Sequence, residues 1–197
     1  MGSGFHNGRY SVENATLRSL FEKAFDMPRL RIVGPDWIDA ERFDIDAKGA
    51  AGTPDKQLPL MLQTLLAQRF GAVTHRESRE MRAYDMVVAK RGLKVSLYDP
   101  AHPPATTPRS NISGVGLMSN LADQLARVIG QPVVDRTGAE GRYAYALSYA
   151  PLAAGKSDSD LPDIFTAVEQ QLGVKLVARK QPIEILVIDH VERPTEN

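Results

Sequence analysis

One stretch of this sequence occurs twice, and a chain that repeats a helix-and-strand unit has few folds open to it. Residues 58–90 read LPLMLQTLLAQRFGAVTHRESREMRAYDMVVAK, and residues 161–191 read LPDIFTAVEQQLGVKLVARKQPIEILVIDHV. The first copy has apolar residues at 58, 61, 62, 65 and 66, the spacing of one helical face. The second has them at 161, 164, 165 and 168, then Leu172. Leu-Pro opens both helices, and proline suits a first turn, where its missing N–H is not needed. Gly71 and Gly173 follow them at the place of a left-handed cap. After each glycine the pattern predicts two strands, Ala72–Arg76 with Met81–Ala89 and Val174–Ala178 with Ile183–His190. Polar turns, Glu77–Glu80 in the first copy, separate them.

The likeness extends upstream. Arg42-Phe43-Asp44-Ile45-Asp46 has its counterpart in Arg142-Tyr143-Ala144-Tyr145-Ala146. A short apolar strand precedes each, Leu30–Val33 or Pro132–Val134, and a helix precedes that, Leu17–Phe25 or Leu121–Ile129. Self-similarity at a fixed spacing decides the fold before any local reading. The expected fold is α+β, an internal duplication of a strand-helix-strand-strand-helix-strand-strand unit with small mixed sheets. Residues 99–108 hold four prolines and two threonines. Such a segment is stiff and extended, so the expected domains are 8–98 and 109–197 with this linker between them.

Local signals fill in the frame. Tyr10 and Val12 alternate with polar neighbours, so Gly8–Asn14 reads as an edge strand after loose residues 1–7. Thr16 is placed to cap the first helix and Ser119 the helix near Leu121. Met27-Pro28 ends the first helix, and Gly34-Pro35-Asp36-Trp37 is a turn. Asp135–Gly141 predicts a loop with positive φ at a glycine. Asp160 is placed to cap the last helix, with Asp163 in its first turn. Ile183–Ile188 is a nearly continuous apolar run, as in a strand covered on both faces.

Composition narrows the functions. In 197 residues, 24 Lys and Arg balance 24 Asp and Glu, which leaves no basic excess for nucleic acid. The absence of cysteine removes disulfides, thiolate nucleophiles and zinc–thiolate sites. No apolar run approaches the roughly 20 residues that span a bilayer. Met1–Gly4 reads as an added start, in which case a native leader has been cut away.

Three arrangements bear on chemistry. Residues 150–157, ending in Gly155-Lys156-Ser157, loosely match a phosphate loop, with Asp189 after an apolar strand as its magnesium partner. That mechanism needs a helix beginning at the Lys-Ser, whose amides meet the phosphates. Acidic residues follow instead, so no nucleotide cofactor is expected. Asp158, Asp160 and Asp163 lack the full calcium-loop pattern, and capping accounts for them without a metal. Of the four histidines, His6 and His102 lie in loose or proline-rich stretches. His75 and His190 fall in the equivalent hairpins of the two halves, near Glu77, Asp85 and Asp189. If the chain is an enzyme, His75, Asp85, Asp189 and His190 are its residues, and hydrolysis of esters or lactones is its reaction. No Gly-x-Ser-x-Gly, Ser-x-x-Lys or His-Glu-x-x-His pattern accompanies them. Trp37 and Tyr84 are the candidate aromatic contact residues for a binding role.

The phrases GRYSVENATLRSLFEKAF, GPDWIDAERFDIDAK, LMLQTLLAQRFGAVTHRE, VVDRTGAEGRYAYAL and VIDHVERPTEN, in this order, resemble a domain family of unknown function abundant in soil bacteria. Members commonly follow a signal peptide, and some are fused to antirepressor-type membrane metallopeptidases. The resemblance implies a periplasmic or secreted domain and supplies no catalytic residues. Beside it, this chain is expected to lack the opening strand before Gly8 and to leave an edge unpaired. Each half is also similar to the short N-terminal signalling domain of secretins and TonB-dependent receptors. That second likeness implies contact with a protein partner or small ligand at sheet edges. The reading that follows is an exported, non-catalytic binding or sensory module without cofactor or metal.

Overall fold

The computed structural model describes residues 4–6, 9–49, 54–101, 111–150 and 161–194. Two compact units emerge, Met1–Glu80 with Pro182–Asn197, and Met81–Gln181. The boundaries of these units fall inside two strands, and of the expected linker 99–108 residues 102–108 lie outside the described residues.

The first unit begins with β1 (Gly4–His6) and β2 (Arg9–Thr16), then α1 (Leu17–Phe25), β3 (Ile32–Val33), α2 (Trp37–Ala40), β4 (Arg42–Lys48), α3 (Leu58–Phe70) and the start of β5 (Val73–Val88). Thr16 caps α1 as expected, its hydroxyl accepting from the Ser19 amide at 3.2 Å. The helix stops at Asp26, which takes a left-handed conformation, φ 48°, one residue before Met27-Pro28. Leu17, Leu20, Phe21 and Ala24 give α1 a fully buried stripe, and α3 sets Leu62, Leu66 and Phe70 against it. Burying one such large apolar side chain stabilises by about 1.5–3 kcal/mol, so this helix pair is the main source of cohesion here. The turn expected at Trp37 is the short helix α2.

The second unit holds β6 (Ser96–Leu97), β7 (Ile112–Gly116), α4 (Met118–Ile129), β8 (Val133–Asp135), β9 (Tyr143–Leu147), α5 (Ile164–Ala167) and the start of β10 (Val174–His190). α4 begins earlier than Ser119 allows. Its first amides are served by Asn120, whose Oδ1 accepts from the Leu117 amide at 2.9 Å. The last helix begins at Ile164 rather than Leu161 and widens to π geometry over Val168–Leu172. Asp163 is its N-cap, accepting from the Phe165 and Thr166 amides, while Asp160 lies outside the described residues. Leu161 and Phe165 stay exposed, and Ile164, Ala167, Val168 and Leu172 are buried. Gly138 and Gly141 take the positive φ expected of the 135–141 loop.

The chief departure from expectation lies in β5 and β10. Each was expected as two strands across a polar turn, and each is one strand of 16 or 17 residues. Glu77-Ser78-Arg79-Glu80 is polar but contains no glycine, proline, asparagine or aspartate, and Ser78 is its only turn-favouring residue. It is extended and mostly exposed. In β10 even Pro182 is carried within the strand.

In the first unit β1, β2 and β4 form an antiparallel sheet in that order. β2 is thus a central strand and not an edge, because Gly4–His6 supplies the opening strand expected to be missing. A bulge between Val12 and Ala15 sets Asn14 at φ 55°, and its amide bonds Asp44 Oδ1 at 2.8 Å. β3 runs parallel to the end of β10, Ile32 beside Leu186. In the second unit the order is β6, β9, β7, and β8 runs parallel to β5, Val133 beside Tyr84. The short third strand of each sequence copy therefore pairs with the long last strand of the other copy. That exchange is why the compact units differ from the copies.

Candidate functional site

β4 alternates Arg42, Asp44, Asp46 and Lys48 outward with Phe43, Ile45 and Ala47 inward. The inner residues pack on the first unit's core, Phe43 edge-on to Phe70 with ring centroids 5.2 Å apart. Among the described residues β4 has one neighbouring strand, β2. Along its other edge runs a groove of about 320 Å³ between β4 and α3. Phe43, Ile45, Leu65 and Phe70 make its apolar part, and Asp44, Asp46, Gln68 and Arg69 its polar rim. Arg9 holds Asp46 from β2 through two guanidinium–carboxylate bonds. The Arg9 hydrogen bond keeps that carboxyl below its ordinary range.

The corresponding strand of the second unit is not open. β6 pairs antiparallel with β9, Ser96 beside Ala144 and Leu97 beside Tyr143. The Tyr98 amide extends the ladder to the Arg142 carbonyl at 2.7 Å, and the Arg142 guanidinium lies over the Tyr98 ring. Sequence reasoning missed both the open edge and its covered counterpart. Only the RFDID and RYAYA correspondence hinted that the two strands should be compared.

The proposed catalytic residues fall into separate groups. His75 on β5 meets Asp189 on β10, Nδ1 to Oδ2 at 2.8 Å, with Glu77 3.7 Å from Nε2. The Asp189 hydrogen bond is the main cause that raises the His75 pKa. The pair is exposed, and Glu77 is itself held by Arg79. His190 follows Asp189 directly, so strand alternation sends it to the opposite face. There it pairs with Glu192, Nε2 to Oε1 at 2.8 Å, beside the Gly71 cap. Asp85 belongs to the second unit, where it is nearly buried, accepts from Gln181 at 2.8 Å and pairs with Arg179 at 3.0 Å. The structure thus joins His75 to Asp189 and puts His190 and Asp85 elsewhere. His75 does not line the groove beside β4.

The two aromatic candidates are both half-buried. Trp37 carries the Arg193 guanidinium over its ring at 5.1 Å, and Arg193 is tied to Glu41 at 2.6 Å. Tyr84 leans on Phe165 with centroids 5.3 Å apart. It lines a shallow groove of about 350 Å³ with Arg82, Arg179 and Lys180. A third groove, about 370 Å³, lies among Lys90, Arg91, Lys94 and Glu169. Asp163 serves as a helix cap, while the phosphate-loop residues 151–157, Asp158 and Asp160, His102, and the placement of the His6 side chain lie outside the described residues. Among the described residues no group of three or more acidic or histidine side chains gathers as a metal site. No described helix is long and apolar enough to cross a membrane.

A family model described as "Protein of unknown function (DUF3738)" matches residues 18–191. The chain belongs to this family. The match runs from α1 to the end of β10 and so takes in both long strands. No curated protein and no solved structure matches the chain.

The His75–Asp189 pair gives a direct expectation. A raised histidine pKa means that the charged form gains its partner on folding. Its contribution to stability is complete below the ordinary histidine range and is lost as pH rises through the folded-state value. An NMR titration should find the His75 midpoint above that of an unfolded histidine. Asp189→Asn should lower it, and an unchanged midpoint in that variant would show that the carboxylate is not the cause.

Proposed function

We propose that this chain is an exported, non-catalytic binding module that meets a protein partner along the outer edge of β4. The observation that carries the reading is the contrast within one chain: β6 covers β9, while the corresponding edge of β4 has a groove beside it. A sheet edge offers a row of unsatisfied N–H and C=O groups, and an extended segment satisfies them by adding a strand. Export is supported by the resemblance to a family whose members follow signal peptides.

The test is a selection of peptides from a random display library against the whole chain, followed by amide exchange on the complexes. Selected peptides should slow exchange at β4. A selection that yields no binder, or binders that protect amides only elsewhere, sinks the reading.

A second reading, hydrolysis of an ester or lactone, is favoured by one observation, the 2.8 Å bond between His75 and Asp189. It orients an imidazole as a general base would be oriented. A panel of chromogenic esters, run on the parent and on His75→Ala, decides it: no turnover by the parent, or equal turnover by the variant, ends it.

A further inference from the structure

We infer that the second unit carries a binding site for a small phosphate monoester, in the groove of about 350 Å³ beside Tyr84. The site lies outside the unit that holds β4 and does not depend on the edge reading. β5 supplies Arg82 and Tyr84, which share one face because they stand two residues apart. β10 supplies Arg179 and Lys180, and Gln131 closes the wall. The Tyr84 amide donates to the Pro132 carbonyl at 2.8 Å, and that bond brings Gln131, just past α4, to the groove. The rest of the lining is Ala83 and Ala178, whose single methyl groups leave room above them.

The charges select a dianion. The lining holds two arginines and one lysine, and no aspartate, glutamate or histidine. One of the three cations is already answered. Arg179 Nε lies 3.0 Å from Asp85 Oδ2, and Gln181 donates to the other oxygen of that carboxylate at 2.8 Å. Arg136 stands 4.0 Å from Asp85 as well, so this one carboxylate is shared by two guanidinium groups. Arg82 and Lys180 have no ion-pair partner among the described residues. A guanidinium fork fits the oxygens of a phosphate or a carboxylate. A carboxylate brings one negative charge and leaves one of these two cations unmet. A phosphate monoester brings close to two at neutral pH. The Tyr84 ring, steadied by Phe165 with centroids 5.3 Å apart, gives the organic part of the ester a wall to lie on.

The other cationic groove of this unit does not meet the same terms. Glu169 lines it among Lys90, Arg91 and Lys94, and the Lys94 ammonium already donates to the Gln170 carbonyl at 2.5 Å. Its Lys90 therefore serves as a control for charge alone. Size also limits the ligand. A groove of about 350 Å³ is at the small end for small-molecule sites, and it takes one phosphate and one ring rather than a length of polyanion.

The probe is phenyl phosphate, titrated into the whole chain at low salt and read by NMR amide shifts. Shifts should saturate at Tyr84, Gln131 and Arg179. Benzoate and inorganic phosphate should both bind more weakly, the first for want of charge and the second for want of a ring. Arg82→Gln and Lys180→Gln change exposed positions and leave the folded spectrum intact. Each should weaken phenyl phosphate about fivefold, the upper end for an exposed ion pair, and Lys90→Gln should leave it unchanged. Affinity should fall as pH drops through about 6, where the ester loses its second charge. The lining has no histidine to titrate there, and benzoate should show no such fall. Equal binding by benzoate or inorganic phosphate, no loss in either glutamine variant, or no saturable shift at the groove overturns the inference. Tighter binding of a short oligothymidylate, or of vesicles carrying phosphatidic acid, at equal phosphate assigns the cations to a polyanion or a bilayer and overturns it too.

Discussion

Gly173→Ala should destabilise the protein by about 3–5 kcal/mol, at the upper end for single substitutions, while Gly71→Ala should cost only about 1 kcal/mol. Both glycines end a helix in the left-handed region, at φ 71° and 58°, so the conformational cost of a side chain is shared. What separates them is the space. A Cβ on Gly173 would lie 2.2 Å from the Gly92 carbonyl oxygen and 2.7 Å from the Lys94 nitrogen, both backbone atoms. A Cβ on Gly71 would meet only the ends of His190 and Glu192, at 3.8 Å and beyond. The Gly173 carbonyl also accepts from the Ala89 amide at 2.9 Å, and Leu172 accepts from Lys94. Pushing the 89–94 loop away breaks both bonds and removes the lead-in that carries Ser96 to β9. Urea unfolding of the two variants measures the difference, and amide exchange at β9 should rise in Gly173→Ala alone. Equal losses in the two variants would mean that the close backbone approach is not what the glycine serves.

The same pair shows how far the sequence could be read. Gly71 and Gly173 announced the helix ends, and the phrases around them announced the repeat. The fold class and the Thr16 cap followed from spacing and hydroxyl chemistry. What spacing does not carry is which copy a strand will pair with. Nothing in Ile32-Val33 or Val133-Val134 says that each lies against the long strand of the other copy, because short apolar strands have no register signal of their own. The polar run at 77–80 misled in a different way: charge marks exposure, and exposure was read as a turn where the backbone is simply an exposed strand. The histidines were legible as residues but not as a site. Asp189 and His190 are neighbours in sequence and so lie on opposite faces of β10, which separates two members of the expected group at once. The open edge of β4 was hidden for a related reason. RFDIDAK reads the same whether or not another strand lies beside it.

Asp39→Ala should cost about 3 kcal/mol, and replacing its partner as well should restore part of the loss. Arg18 is a charged residue on the buried side of α1, only 8% exposed. Its Nε donates to both Asp39 oxygens, at 2.8 and 2.7 Å, and its Nη1 to the Ile32 carbonyl. Arg29 bonds Asp39 from the exposed side. One carboxylate on α2 thus neutralises a guanidinium that α1 keeps from water, and through Arg18 it ties α2 to the β3 backbone. Removing the carboxylate leaves a buried charge without its counter-ion, a change that costs about 3–5 kcal/mol when the pair is fully enclosed. Asp39 keeps 31% of its side-chain surface exposed, which places the expectation at the low end of that range. Arg18→Leu combined with Asp39→Ala removes the stranded charge and adds aliphatic surface beside Leu17 and Phe21. The double variant should therefore be more stable than Asp39→Ala alone, even though it has lost two residues of the network. Urea midpoints of the parent, both single variants and the double variant, compared at a constant slope, give the coupling. Additive losses would show that Asp39 acts through its helix position and not through the arginine it faces.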